Sequence, residues 1–191
     1  MKYKTIVIDP PWPVEKILRD CRPNQKKMDY KTMSLEEIKN FDLNRFMEKD
    51  CNVFLWVTHK YLPFGLELFK KWNVTYHCLL TWVKNVGFTP FSFMFSTELV
   101  LFGHHGKMQL TEIGKRIDFK APVTRHSEKP DVFYELVRDV SAEPRIDIFA
   151  RKQHYGFVPY GNEIQAFVQL PMLTTAALDG TEPTSKTPKV L

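Results

Sequence analysis

Apolar positions in this chain gather into short runs between polar stretches, and two periods can be read in them. Tyr3 to Ile8, above all the β-branched Thr5-Ile6-Val7-Ile8, is stopped by Pro10-Pro11, which removes the next ladder donor. It reads as a buried strand. Asn52 to Thr58 is nearly continuous in apolar residues and predicts a second buried strand, parallel to the first if a crossover helix precedes it. Val74–Val83, Thr97–Phe102 and Arg145–Arg151 predict three more. Helical signals fall between them. Ser34-Leu35-Glu36-Glu37 is a capping box opening a short helix with Leu35 and Ile38 turned inward. From Tyr61 to Trp72, with His59 at its start, Leu62, Leu66, Phe69 and Trp72 share one face. Asp131 to Val140 places Val132, Phe133, Leu136 and Val137 on another. Strands alternating with helices predict an α/β domain around a mostly parallel, twisted sheet.

The intervening stretches have no such period. Pro13 to Tyr30 carries Glu15, Lys16, Arg19, Asp20, Arg22, Lys26 and Lys27; a solvated loop is the default, and its length also suits a lid. Phe88, Phe91, Phe93, Met94 and Phe95 crowd a short segment with Pro90. Core packing is their expected fate, with a wall of a nucleic-acid cleft or a partner contact as the alternative. Lys107 to Thr124 reads as an irregular basic excursion holding at most a short strand, and Pro171 to Leu191 as a disordered tail. The expected organisation is one domain, residues 1–170, followed by a tail, 171–191.

Composition narrows the class. The 191 residues are 43% hydrophobic and 14% aromatic, which supports a packed globule. An excess of 27 Lys and Arg over 22 Asp and Glu, a formal +5, is compatible with a polyanionic partner. Cys21, Cys51 and Cys78 are odd in number and far apart, so neither a disulfide framework nor a zinc site is expected. His104-His105 is rejected as a metal pair because adjacent residues on an extended chain point to opposite faces. No stretch approaches the roughly 20 apolar residues of a spanning helix, and no secretion signal is seen. A cytoplasmic protein without membrane contact is expected.

The candidate chemistry sits at Asp9-Pro10-Pro11-Trp12. A carboxylate at the carboxyl end of a core strand lies where open α/β sheets bind ligands. Asp9 and the carbonyl of Pro10 together suit an exocyclic amine on a nucleobase. Accepting its two N–H groups draws the nitrogen toward tetrahedral geometry and frees a lone pair otherwise delocalised into the ring. Pro10 and Pro11 fix the backbone there, and Trp12 offers a flat face to a base. The plainer alternative is a proline turn with Asp9 as a cap and Trp12 as core filling. Glu98, alone in an apolar strand, needs a Lys or Arg partner from a neighbouring strand. Lys129, just ahead of a helix N-terminus, makes a patch of positive potential that suits a carboxylate.

With these motifs in view, the chain resembles the adenine-N6 methyltransferases that carry the Asp-Pro-Pro-Trp signature, the family of the messenger-RNA adenosine methyltransferase catalytic subunit. The likeness continues through Asp29-Tyr30-Lys31-Thr32-Met33, Val53 to Thr58, Thr81-Trp82-Val83-Lys84, Glu98 to Gly103, Ser127 to Asp131, Arg145 to Arg151 and Gly161-Asn162-Glu163. The resemblance implies a Rossmann-like class I methyltransferase fold with helices on both faces, in permuted motif order. It implies S-adenosyl-L-methionine as cofactor and methyl transfer to adenine N6. Asp9, Pro10, Pro11 and Trp12 would be catalytic, with Tyr30, Trp12 and Lys84 toward the substrate. Lys129 would meet the methionyl carboxylate, and Asp147 belongs to a pattern, Asp147-Ile148-Phe149-Ala150, similar to a methyltransferase cofactor motif. Arg151, Gln153 and His154 would lie near the ribose, and Asn162 and Glu163 would bond the ribose or adenine. Only eight residues precede Asp9, so the upstream support that the resemblance implies for the cofactor adenine is expected to be absent or supplied otherwise. The compact form is similar to prokaryotic and phage members, which favours DNA over RNA and leaves a homo- or heterodimeric partner open. A non-catalytic nucleic-acid-binding subunit is the competing expectation.

Overall fold

The computed structural model describes residues 1–13, 32–85, 93–123 and 128–161. Seven strands are seen: β1 (Tyr3–Ile8), β2 (Met47–Val57), β3 (Thr75–Val83), β4 (Thr97–His105), β5 (Asp118–Lys120), β6 (Arg145–Ile148) and β7 (Val158–Tyr160). Among the described residues three α-helices accompany them: α1 (Leu35–Lys39), α2 (Leu62–Lys71) and α3 (Asp131–Val140). The strands form one sheet in the order β5-β3-β4-β2-β1-β6-β7. All pairings are parallel except the two made by β4, so β4 alone runs against the other six. This is the mostly parallel α/β sheet expected.

Alternation along the strands divides the core. Ile6, Ile8, Val53, Leu55 and Leu101 meet Ile38 of α1 and Leu68 and Phe69 of α2 on one face. Val7, Phe54, Trp56, Val100 and Phe102 meet Phe133, Tyr134, Val137 and Val140 of α3 on the other. β1 therefore lies between β2, which follows α1 on one face, and β6, which follows α3 on the opposite face. A reversal of this kind is where open α/β sheets bind ligands, and here it falls at the carboxyl end of β1.

Some boundaries and faces differ from expectation. β2 starts at Met47, five residues early, because Met47 pairs with Tyr3 across a register shift and Cys51 pairs with His105. β4 consequently runs on to His105, and the rings of His104 and His105 turn to separate carbonyls, Gly106 O and Asn73 O. Within α2 the buried residues are Gly65, Leu68 and Phe69, while Leu62 and Leu66 pack only at the margin. Gly65 permits the close approach, since a Cβ there would lie 2.8 Å from both Leu101 Cδ1 and Val57 Cγ1. In α3, Val132 is exposed and Tyr134 is buried instead. β6 ends at Ile148, not Arg151, because Phe149 takes φ 64°, outside the extended region. β7 was not anticipated.

The capping box is present: Ser34 Oγ accepts from the Glu37 amide at 3.2 Å and the Glu37 carboxylate accepts from the Ser34 amide at 2.7 Å. Ser34→Ala is expected to cost about 1 kcal/mol, read as a lowered denaturation midpoint at constant slope. Among the described residues no helix is long and apolar enough to cross a membrane. Tyr30, the segment 88–92, Asn162, Glu163 and the tail 171–191 lie outside the described residues.

Candidate active site

Asp9 follows the last residue of β1, and its amide donates to Ile148 O at 3.2 Å, carrying the β1–β6 pairing one residue further. The chain then turns sharply. Pro10 O accepts the Trp12 amide at 2.8 Å, and Pro11 O accepts the Met33 amide at 2.9 Å, tying the turn to the approach to α1. A carbonyl has two lone pairs, so Pro10 O keeps one acceptor site.

Trp12 departs from its expected role. It is 6% exposed, stacks on Tyr61 at 5.0 Å and donates Nε1–H to Trp56 O at 3.1 Å. A face already covered by Tyr61 is not open to a base. Trp12 instead pins the proline turn to the core, and Tyr61 OH reaches Pro13 O to hold the same segment.

The main feature of the carboxyl edge is a line of four alternating charges. Asp9 Oδ2 lies 3.4 Å from Lys129 Nζ, Lys129 Nζ lies 3.2 Å from Glu98 Oε2, and Glu98 Oε1 lies 3.1 Å from Lys84 Nζ. β3 delivers Lys84 at its end. β4, because it is reversed, delivers Glu98 at its beginning. These side chains are 13–25% exposed, so their pairing is largely sheltered from water. Lys129 also lies 4.7 Å from the centre of the Trp56 ring, a favourable seat for a cation. Glu98 thus has the neighbouring-strand partner its sequence required, and Lys84 is engaged with it.

Burial and charge act in opposition here. Burial raises the pKa of Asp9, and the nearby positive charges of Lys129 and Arg151 only partly counter it. Burial also pushes Glu98 upward, but Lys129 and Lys84 outweigh it and the net direction is down. For Lys129 burial works downward, and Asp9 and Glu98 reverse it to a net rise. Lys129 and Glu98 are therefore held in their charged forms, while burial works against the charged form of Asp9.

Behind this line lies a second polar group. Asp147, 2% exposed on β6, accepts from Tyr134 OH at 2.9 Å through Oδ2, while its Oδ1 is buried without a hydrogen-bond partner. Burial lifts its pKa from 3.8 to about 8, opposed by the Tyr134 bond and reinforced by the charge of Asp9. The unfolded chain releases this proton near pH 4 and the folded one near pH 8, so stability falls as pH rises between those values. Asp147→Asn is expected to flatten that decline, with the largest gain in melting temperature over wild type at pH 8 and above.

His154 also departs from expectation. Its ring stacks on Tyr134 with centroids 3.4 Å apart, and burial lowers its pKa to about 4, so it is a neutral packing residue. Gln153 and Arg151 are exposed, and Lys152 pairs with Glu128 and Asp131, fastening this loop to the start of α3. A cleft of about 370 Å³ opens beside Lys129, lined also by Lys120, Pro122, Glu128, Pro130 and Asp131.

Comparison with known proteins now decides the family: the MT-A70 model matches residues 3–163, which include every residue of the charge line. The chain belongs to the MT-A70 family. It is 26% identical over 187 residues to the N(6)-adenine-specific methyltransferase METTL4 of Mus musculus, covering 86% of this chain and 38% of that protein. It is 26% identical over 176 residues to an MT-A70-like N(6)-adenosine-methyltransferase of Arabidopsis thaliana, covering 85% and 24%. Against the METTL3 catalytic subunit of the Homo sapiens N(6)-adenosine-methyltransferase, identity is 25% over 175 residues, covering 85% and 28%. The chain thus spans roughly a quarter to two fifths of the length of these relatives.

Within this MT-A70 chain the structure brings together Asp9, Lys129, Lys84 and Asp147 from the expected site residues and adds Glu98, Tyr134 and Trp56 beside them. Glu98 announced itself as a lone acid in an apolar strand. Tyr134 gave no signal, because a tyrosine within a helical apolar pattern is indistinguishable from core.

Proposed function

We propose that this chain is an S-adenosyl-L-methionine-dependent methyltransferase acting on the N6 amine of adenine in nucleic acid, with DNA as first substrate and RNA adenosine as the alternative. The observation that carries this reading is the carboxylate of Asp9, held by Lys129 where β1 ends, next to a proline carbonyl with a free acceptor site. The names of these relatives divide between adenine and adenosine, which is why both nucleic acids enter the test.

Two features fit the cofactor's amino-acid end. A lysine has three donors, of which Lys129 shares two between the carboxylates of Asp9 and Glu98, and it also lines the adjoining cleft, where the third could meet another carboxylate. Asp147 Oδ1 is buried without a partner, and an ammonium group placed against it would draw the raised carboxyl back to its ionised, accepting form. Bound there, the cofactor supplies an electrophilic methyl carbon. Asp9 and Pro10 O accept the two amine N–H groups and orient the nitrogen lone pair. As the N–C bond formed and the methyl–sulfur bond broke, its electron pair leaving with the sulfur as a neutral thioether, the amine would become acidic and Asp9 would take its proton. Lys129 keeps Asp9 ionised and aimed, while Glu98, anchored by Lys84, keeps Lys129 from swinging away. Arg151, Gln153, Asn162 and Glu163 remain proposed cofactor contacts, and Tyr30 a substrate contact.

The protein is incubated with methyl-tritiated cofactor and separate DNA and RNA pools, and the digested nucleosides are resolved. Label in N6-methyl-deoxyadenosine supports the DNA form and label in N6-methyladenosine the RNA form. Label in neither, with cofactor binding intact, favours a non-catalytic subunit.

A further inference from the structure

Two departures from the expected core differ in kind. Phe93, Met94 and Phe95 are exposed ahead of β4, whereas Tyr134 and Asp147 bury a polar pair between the sheet and α3. Val7 is the register partner of Asp147, and alternation along the chain returns Asp9 to the face of Val7, so both carboxyl groups look toward the α3 side. Lys129 closes the same space, within reach of Asp9 and with its charge felt at Asp147. The other surroundings of Asp147 are spoken for. Arg145, two residues earlier on β6, spends its guanidinium on Ser141, Glu143 and the Arg138 carbonyl. Pro159, across from Asp147 on β7, cannot ionise. His154 covers the Tyr134 ring as a neutral group, and Asp131, whose charge reaches Tyr134, is paired with Lys152.

Tyr134 OH engages only Oδ2 of Asp147, and Oδ1 is closed off from water without a partner. A buried polar atom left in that condition costs free energy that a ligand can recover. Resting on the function proposed above, we infer that Tyr134 is a positioning residue for cofactor uptake: its hydroxyl fixes Oδ2, leaving Oδ1 to the cofactor's ammonium, and Asp147 yields its proton to solvent when that charge arrives. The O–H bond of the carboxyl breaks, the proton leaves to the buffer, and carboxylate and ammonium remain as a pair with no net charge added to the interior. The empty protein is set for this exchange, because burial holds the Asp147 carboxyl at about 8 and an opposite charge in contact favours its ionised form. Affinity should therefore rise with pH from about 6 to about 7.5, below the range in which the ligand's own amine loses its charge.

Titration calorimetry of the full chain with S-adenosylhomocysteine, at neutral pH in two buffers of different ionisation enthalpy, counts the protons exchanged without any turnover. The control ligand is 5′-methylthioadenosine, an adenosine thioether that lacks the amino-acid end. Wild type should release roughly half a proton or more per S-adenosylhomocysteine bound and none with the control. Asp147→Asn should abolish the release in a protein that still melts cooperatively. Tyr134→Phe should weaken S-adenosylhomocysteine roughly tenfold, leave the control ligand unchanged and move the rise in affinity to higher pH, since the hydroxyl no longer supports the ionised carboxyl. Release that persists in Asp147→Asn, or a Tyr134→Phe protein that loses both ligands equally, would overturn the inference. Tight S-adenosylhomocysteine binding with no proton released would also overturn it and leave the proposed cofactor standing. A wild-type protein that binds no S-adenosylhomocysteine at all would remove the cofactor assignment, and this inference with it.

Discussion

Asp9→Asn is expected to lower kcat/KM for methyl transfer by about 10³-fold, the range for loss of a positioned proton acceptor. An amide presents one acceptor oxygen and an NH2, which meets the substrate amine donor to donor. The fold should survive, because Glu98 remains to pair Lys129 and the desolvation cost that raises the Asp9 pKa disappears. Single-turnover kinetics beside thermal melting checks both halves, and turnover near the wild-type rate would remove Asp9 from the reaction. The wild-type acid limb follows from the same residue. Activity requires the carboxylate, and burial raises its pKa, so kcat/KM should fall with acidity at a higher pH than an ordinary aspartate would give.

Lys129→Met is expected to have the second largest effect, in three measurable ways. It leaves two sheltered carboxylates facing the same space, and breaking a buried pair by removing one partner costs about 3–5 kcal/mol. It takes away the nearest cation to Asp9, so the acid limb should move further up. It also removes the donor proposed for the cofactor carboxylate, so calorimetric affinity should fall at least tenfold. Lys129→Arg should recover most of the stability and only part of the affinity, since the charge is kept and the donor geometry is not. Unchanged cofactor affinity in a folded Lys129→Met protein would dismiss its assigned contact.

Much of the frame was legible because it depends on local rules. β-branched runs marked β1 and β2, and the capping box marked the start of α1. A lone acid in β4 required a cation, and the structure supplies Lys84 and Lys129. What escaped reading depends on tertiary pairing. The five extra residues of β2, Met47 to Cys51, include Glu48-Lys49-Asp50, whose polarity hides a strand that only register with β1 and β4 establishes. β7 is three residues long and exists because β6 offers it an edge. Trp12 reads equally as platform or core until Tyr61 is seen stacked on it. The resemblance puts His154 near a ribose, but its ring stacks on Tyr134 with centroids 3.4 Å apart. Asp9 and Lys129 are 120 positions apart in sequence, and their meeting depends on β1 and α3 sharing the sheet's carboxyl edge.

The sheltered charge line also sets how the protein should respond to electrolyte. At 1 M salt the Debye length is about 3 Å, enough to strip a polyanion held through exposed lysines such as Lys60. Pairs as withdrawn as Lys129 with Asp9 and Glu98 feel little of that ionic atmosphere. Concentrated salt should therefore release any bound polyanion while the charge line stays assembled, so a simple buffer exchange yields protein that is empty with Asp9, Lys129 and Glu98 still in place.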